Sequence, residues 1–224
     1  MNEAIFDRVA AGYDSWYETE VGKAADQVER VLAQTMFRPS GTRVMEVGCG
    51  TGQYTAWLVQ EGYTLTAVDV SGEMMAKAQA RIAAVGGQVH WWQADISEIL
   101  NQLGKFHGIF SMTAFEFVPQ SEQVLAKLFD CLVPGGCLLI GVIAGNSPWS
   151  DYYQEVARKK PTSVFARAKL YTEENIRDWQ VGGRLELGQC LFFPPAVATA
   201  AEALALEERR EGRAGFIVAK WVKE

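Results

Sequence analysis

The stretch Val44-Met45-Glu46-Val47-Gly48-Cys49-Gly50-Thr51-Gly52 decides how this chain is read. An apolar β-like run, Thr42 to Val47, enters a turn with glycine at every second position, and a segment of helical spacing follows. From Thr51 to Gln60 the residues Tyr54, Trp57 and Leu58 recur at i, i+3, i+4, which lays one helix face on a sheet. Strand, glycine-rich turn and helix in that order form a nucleotide-binding context. The helix N-terminus offers unpaired N–H groups, and glycine lets a ligand approach the backbone where a Cβ would intrude.

Spacing narrows the nucleotide. A dinucleotide fingerprint runs G-x-G-x-x-G, whereas here the third spaced position is Gln53 and the extra glycine, Gly52, arrives one residue early. No Gly-Lys-Ser/Thr follows, so a P-loop is excluded. Glu46, two residues before Gly48, opposes a phosphate and suits a cationic or amine-bearing ligand. The second strand, Leu65 to Val70, carries Asp69 at its tip, where a carboxylate can accept from both hydroxyls of a ribose. The third, Gln88 to Gln93, leads to Asp95, placed to accept from an adenine amino group with Ile96 and Met74 flanking the ring. One Asp at a strand end reads as a helix cap. Three acids after three successive strands read as a site.

Outward from this core the pattern repeats. Further β-like runs cover Gly108 to Met112, Gly136 to Ile143, Leu185 to Phe193 and Gly215 to Trp221. Ser71 caps a helix that buries Met74, Met75 and Ala78, and Ser121 to Leu132 is a second helix, stopped by Pro134-Gly135-Gly136. Strands alternating with amphipathic helices predict an α/β domain with a largely parallel sheet. Two aromatic-rich additions flank it: a helical entry from Asn2 to Phe37, and Asn146 to Gln180. Such additions on a rigid scaffold are where pockets are built.

Composition sets the outer limits. The 224 residues predict one domain, and 49% apolar with 21% charged residues excludes collagen-like, low-complexity and disordered classes. The net charge of -6 has the wrong sign for nucleic-acid binding. The longest apolar stretch, Cys137 to Ala144, falls short of the ~20 residues of a membrane span. Acidic Glu3 and Asp7 near the start do not resemble a secretory signal, so a cytoplasmic address is expected. Cys49, Cys131, Cys137 and Cys190 form no C-x-x-C pair and the histidines are His90 and His107, so no metal site is expected.

Five motifs together resemble the class I S-adenosylmethionine-dependent methyltransferases, in the type 11 and ubiquinone/menaquinone-like branch. They are Phe6-Asp7 with Tyr13-Asp14, Glu46-Val-Gly-Cys-Gly-Thr-Gly52, Val68-Asp69-Val70-Ser71, Ala94-Asp95-Ile96 and Leu132-Val-Pro-Gly-Gly136, and the match covers about residues 4 to 145. The resemblance implies a Rossmann-like, mostly parallel seven-stranded sheet with helices on both faces and the last strand antiparallel. It implies a single domain over 1–224: an N-terminal helical cap (1–40), a cofactor core (41–145), a helical insertion after strand five (146–182), and a strand pair with a helix (183–224).

It also implies roles. Gly48, Cys49, Gly50 and Gly52 form the cofactor loop, with Cys49 no nucleophile. Asp69 and Val70 take the ribose, and Asp95, Ile96 and Met74 the adenine. Tyr13 and Tyr17 close over the methionine end, whose amino group meets Glu46 and the backbone of Ser111 and Met112. Phe115, Phe117, Trp149, Tyr152 and Tyr171 are candidates for the acceptor pocket, where positive charge is limited to Arg158, Lys159, Lys160, Arg167 and Lys169. Glu116 is the candidate general base, and neither histidine is expected to be catalytic. The implied function is methyl transfer from S-adenosylmethionine to a small-molecule acceptor by in-line displacement, catalysed chiefly by positioning and leaving S-adenosylhomocysteine, and the aromatic surface of the additions suggests a small or medium apolar acceptor, aromatic molecules included. A binding module without turnover is one alternative. A nicotinamide-dependent oxidoreductase is another, opposed by Gln53 and Glu46. A homodimer is left open.

Overall fold

Alternating apolar and amphipathic runs become strand–helix repeats in a computed structural model that describes residues 4–224. Asn2 and Glu3, part of the expected helical entry, lie outside the described residues. Strands β1 (Arg43–Val47), β2 (Thr64–Asp69), β3 (Val89–Gln93), β4 (Phe106–Met112) and β5 (Leu132–Ile143) pair in parallel. With β6 (Arg184–Cys190) and β7 (Phe216–Val222) they form a seven-stranded sheet in the order β3-β2-β1-β4-β5-β7-β6. β7 runs antiparallel to both β5 and β6, so the expected mostly parallel sheet with an antiparallel last strand is the observed one. Strand order reverses between β1 and β4, and a crevice opens there at the carboxyl ends of the strands.

The helices are α1 (Glu20–Met36), α2 (Gln53–Gln60), α3 (Gly72–Ala84), α4 (Ile96–Ile99), α5 (Ser121–Asp130), α6 (Pro148–Lys159), α7 (Glu173–Asp178) and α8 (Ala200–Arg209). Two apolar clusters cover the two sheet faces, and strand alternation assigns residues between them. On β1, Met45 and Val47 join the cluster containing Leu125, Leu128 and Ile140, while Val44 joins Leu58, Phe110 and Phe216. Glu46 therefore shares Val44's face, against α2. Each fully buried Leu, Ile or Phe stabilises the fold by roughly 1.5–3 kcal/mol, and both faces have many.

Local departures from the sequence expectation have identifiable causes. The helical entry is broken: a 3-10 helix (Ala10–Glu18) ends at Thr19, whose side chain accepts from Gly22 N–H and caps α1. Pro134-Gly135-Gly136 does not separate helix from strand; it lies inside β5, whose pairing begins at Leu132 opposite Phe106 and then shifts register. Gly135 adopts φ +75° and donates to Lys223 O at 2.7 Å, so the irregularity is held by β7's continuation. β6 ends at Cys190 rather than Phe193 because Leu191 turns to φ +62°.

Candidate active site

The cleft lies on the turn after β1. Val47 pairs with Val68, and Gly48 and Cys49 N–H both bond Val68 O, which ties the start of the turn to β2. Gly50 has φ +52°, and a Cβ there would meet nothing within 4 Å, so its open side faces the cavity. Gly52 serves differently: it caps α2 with φ +83°, and a Cβ would stand 2.9 Å from Ala78 Cα on α3. One glycine admits a ligand and the other admits a helix.

A cavity of about 390 Å³ opens above this turn, within the range of small-molecule sites. Gly48, Gly50, Asp69, Val70, Met74 and Asp95 line its floor with Ile96 and Met112. Asp69 is held rigidly: Oδ2 accepts from Gly50 N–H at 2.8 Å and Oδ1 from Ser71 N–H at 2.8 Å. A carboxylate has about four lone-pair sites, so these bonds leave capacity for a ligand hydroxyl. Burial raises the Asp69 pKa, and its backbone bonds oppose that rise. Asp95 lines the cavity and also caps α4, accepting from Ser97 N–H at 2.9 Å. Cap and ligand roles are compatible here.

A smaller recess adjoins the turn, walled by Tyr13, Tyr17, Glu46, Cys49, Tyr54 and Thr113 among others. Glu46 accepts from Thr55 Oγ1 at 2.7 Å, and burial pushes its carboxyl up to about 8. Burial also pushes the Cys49 thiol well up, which removes thiolate character. Glu116, 2% exposed, accepts from Ile143 N–H at 2.8 Å through Oε1, and burial brings it to about 7. Among the described residues its Oε2 finds no hydrogen-bond partner.

The N-terminal segment roofs the cleft, with Ala4, Ile5, Phe6 and Tyr13 in the cavity lining. Two acids fasten it. Asp14 accepts from Thr51 Oγ1 at 2.6 Å and from Arg81 at 3.1 Å, and Asp7 accepts from Ser71 Oγ and from Glu73 N–H. Phe6 meets Phe117 edge-on at 4.9 Å, which closes the roof onto the segment after β4.

Several sequence candidates lie elsewhere. Phe117 lines the cavity, but Phe115 is 1% exposed within the core. Trp149 is 2% exposed and donates its Nε1–H to Phe193 O at 2.6 Å. Tyr171 packs edge-on against Trp179 and shares a hydrogen bond with Ser121, whereas Tyr152 stands 47% exposed. None of these four lines either cavity. Ser111 is buried and bonds Val47 O through its hydroxyl, leaving Met112 and Thr113 at the cavity. Burial, not chemistry, claimed Phe115, Trp149 and Tyr171, while Tyr152 faces outward.

Sequence reasoning gave no role to Thr113, whose φ of +50° is rare for a β-branched residue and carries no sequence signal. It also left out Ala4 and Ile5 and the latch made by Asp14. The paired acids in Phe6-Asp7 and Tyr13-Asp14 were the available sign.

Residues 44–136 match a family described as "Methyltransferase domain". A malonyl-[acyl-carrier protein] O-methyltransferase from Pectobacterium atrosepticum is 30% identical over 196 residues, covering 84% of this chain and 71% of that protein. A ubiquinone biosynthesis O-methyltransferase from Xanthomonas axonopodis is 24% identical over 148 residues, and there the chain spans 62% of the relative's length. Among solved structures, a methyltransferase from Thermotoga maritima superposes with a TM-score of 0.73 at 22% identity, covering 98% of this chain and 99% of that one. With this sheet order, this glycine turn and these relatives, the chain belongs to the class I S-adenosylmethionine-dependent methyltransferases, in the type 11-like branch.

Proposed function

We propose that this chain binds S-adenosylmethionine in the cleft over Gly48–Gly52 and transfers its methyl group to a small-molecule acceptor. The observation that carries the reading is Asp69: a half-buried carboxylate fixed by the backbone donors of Gly50 and Ser71, lining the cleft beside open space at Gly50. That arrangement fits a ribose diol. Asp95, Ile96 and Met74 would hold the adenine, and Tyr13, Tyr17, Glu46 and the Met112–Thr113 backbone the amino-acid end. When bound, the sulfonium supplies an activated methyl group. The chain's own contribution is to hold the acceptor in line and exclude water beneath the roof of residues 4–18.

The name of the ubiquinone biosynthesis O-methyltransferase relative, and a cavity of about 390 Å³, support a small acceptor. Calorimetric titration with S-adenosylmethionine, S-adenosylhomocysteine and NAD tests the cofactor. The first two should bind, and Asp69→Ala should weaken them by about 100-fold, the scale of two charge-assisted hydrogen bonds. Binding of NAD alone overturns the reading.

A further inference from the structure

The insertion contributes one side chain to the cleft. Arg167 is exposed and lines the cavity together with Phe6, Phe117, Val118 and Pro119. Among the described residues it is the one cation in the lining of either cavity, and it makes no ion pair, hydrogen bond or cation–π contact with any of them. The other charged groups of the two linings are the acids Asp69, Asp95 and Glu46, and each of these already accepts a hydrogen bond from the protein. The guanidinium alone is uncommitted.

Its backbone is nonetheless fixed. Arg167 ends a 3-10 turn, Val164–Arg167, capped by Ser163 Oγ, which accepts from Phe165 N–H at 3.3 Å. Ala168 N–H closes the turn on Phe165 O at 3.2 Å. Two residues before Arg167, Phe165 stacks on Tyr153 at 4.0 Å and meets Phe117 at 6.3 Å; two residues after it, Lys169 N–H bonds Glu116 O at 2.8 Å. The chain on both sides of Arg167 is thus tied to the segment that follows β4. Local charge points the same way, since residues 156–171 hold Arg158, Lys159, Lys160, Arg167 and Lys169 and no acid, in a chain of net charge -6. Glu155 pairs Arg158 and Lys159, and Lys169 lies 5.2 Å over the Tyr171 ring. Arg167 is the member of this set that reaches the cavity.

We propose that the methyl acceptor carries an anionic group, a carboxylate or a phosphate, and that Arg167 receives this group and so determines which acceptors enter. The proposal rests on the methyl-transfer reading above and deepens it. A guanidinium offers five N–H donors and no acceptor, and its planar fork gives two parallel bonds to a carboxylate or phosphate, which fixes orientation as well as affinity. Phe6 and Phe117, edge-on at 4.9 Å, offer with Val118 and Pro119 the apolar surface for the rest of the molecule. An ammonium in the same place is repelled, and a neutral group gains little from the charge. The recess of Tyr13, Tyr17 and Glu46, where the proposed cofactor pose puts the amino-acid end, does not include Arg167, which leaves the guanidinium to the acceptor.

The test titrates protein loaded with S-adenosylhomocysteine against four compounds of similar size: phenylacetate, phenyl phosphate, 2-phenylethanol and 2-phenylethylamine. At low salt at least one anion should bind about 10-fold or more tighter than the alcohol and the amine, and the tighter anion names the group. Added salt should shrink that margin, because an exposed charge is screened. Arg167→Gln should abolish the margin and Arg167→Lys restore part of it, while Lys160→Gln, at an exposed position outside the lining, should leave it whole. Substitution of an exposed side chain leaves the fold in place, and S-adenosylhomocysteine affinity should be equal in all three variants. The inference is overturned when neither anion outbinds the alcohol and the amine, when the margin survives Arg167→Gln, or when Lys160→Gln abolishes it equally. Loss of S-adenosylhomocysteine affinity in Arg167→Gln also overturns it, by assigning the guanidinium to the cofactor. Failure of the unsubstituted protein to bind S-adenosylmethionine or S-adenosylhomocysteine sinks the parent reading instead.

Discussion

The turn after β1 and the insertion carrying α6 both crowd the cleft, yet different forces place their side chains. In the turn, position comes from backbone: Gly48 and Cys49 hang on Val68 O, and Asp69 is clamped by Gly50 and Ser71. In the insertion, position comes from ring packing. Trp149 fills a slot against Phe193, and Tyr153 stacks on Phe165 at 4.0 Å. A backbone-built site can be recognised from a short motif, because the donors and the glycines are local. A ring-built site cannot, because any apolar surface of the right size accepts an aromatic side chain.

That difference can be broken or sharpened. The largest effect is expected at Trp149→Ala, which empties a buried slot and leaves Phe193 O without its donor, at a cost of about 3–5 kcal/mol in urea unfolding. Cofactor affinity should remain unchanged; a matched loss would mean that the insertion and the turn are one unit.

Next comes Glu46, whose carboxyl is raised to about 8 in the folded chain from the ordinary value of 4.5. A folded-state pKa above the unfolded one means that the native protein holds the extra proton. Its stability contribution is full below about pH 4.5 and declines as pH rises through 8. Urea midpoints measured from pH 5 to 8.5 should therefore fall less in Glu46→Gln than in the parent. Parallel profiles would place the Glu46 proton elsewhere.

Asp14→Ala removes the bonds to Thr51 and Arg81 that hold the 3-10 helix over the cleft. Both partners of the ion pair are one-third exposed, so the cost should be about 1 kcal/mol. Amide exchange over residues 10–18 should accelerate while the sheet amides do not. The smallest effect belongs to Tyr152→Ala, on the exposed side of α6: within about 0.5 kcal/mol and without loss of cofactor affinity. A large effect on turnover there would return the outer insertion to the site.

Legibility followed the same divide. The strand runs at Thr42, Leu65 and Gln88 were readable within a residue or two because alternation is local, and the acids at Asp69 and Asp95 fell at cavity-lining positions because strand ends are where crevices open. The aromatics at Phe115, Trp149 and Tyr171 were not separable from pocket residues by pattern. Burial depends on what stands opposite: Phe193 for Trp149, Trp179 for Tyr171. Thr113 went without a role because its left-handed backbone is imposed by the junction of β4 with Gly141, whose carbonyl accepts from Thr113 N–H.

By itself the sequence determined the strand–turn–helix with its glycines, the acid at the tip of β2 and hence the fold and family, since each depends on neighbours within a few residues. Only the tertiary structure decided that the N-terminal segment roofs the cleft through Asp7 and Asp14, and which rings are core. Those relations join elements distant along the chain, and long-range packing and desolvation, not local pattern, set them.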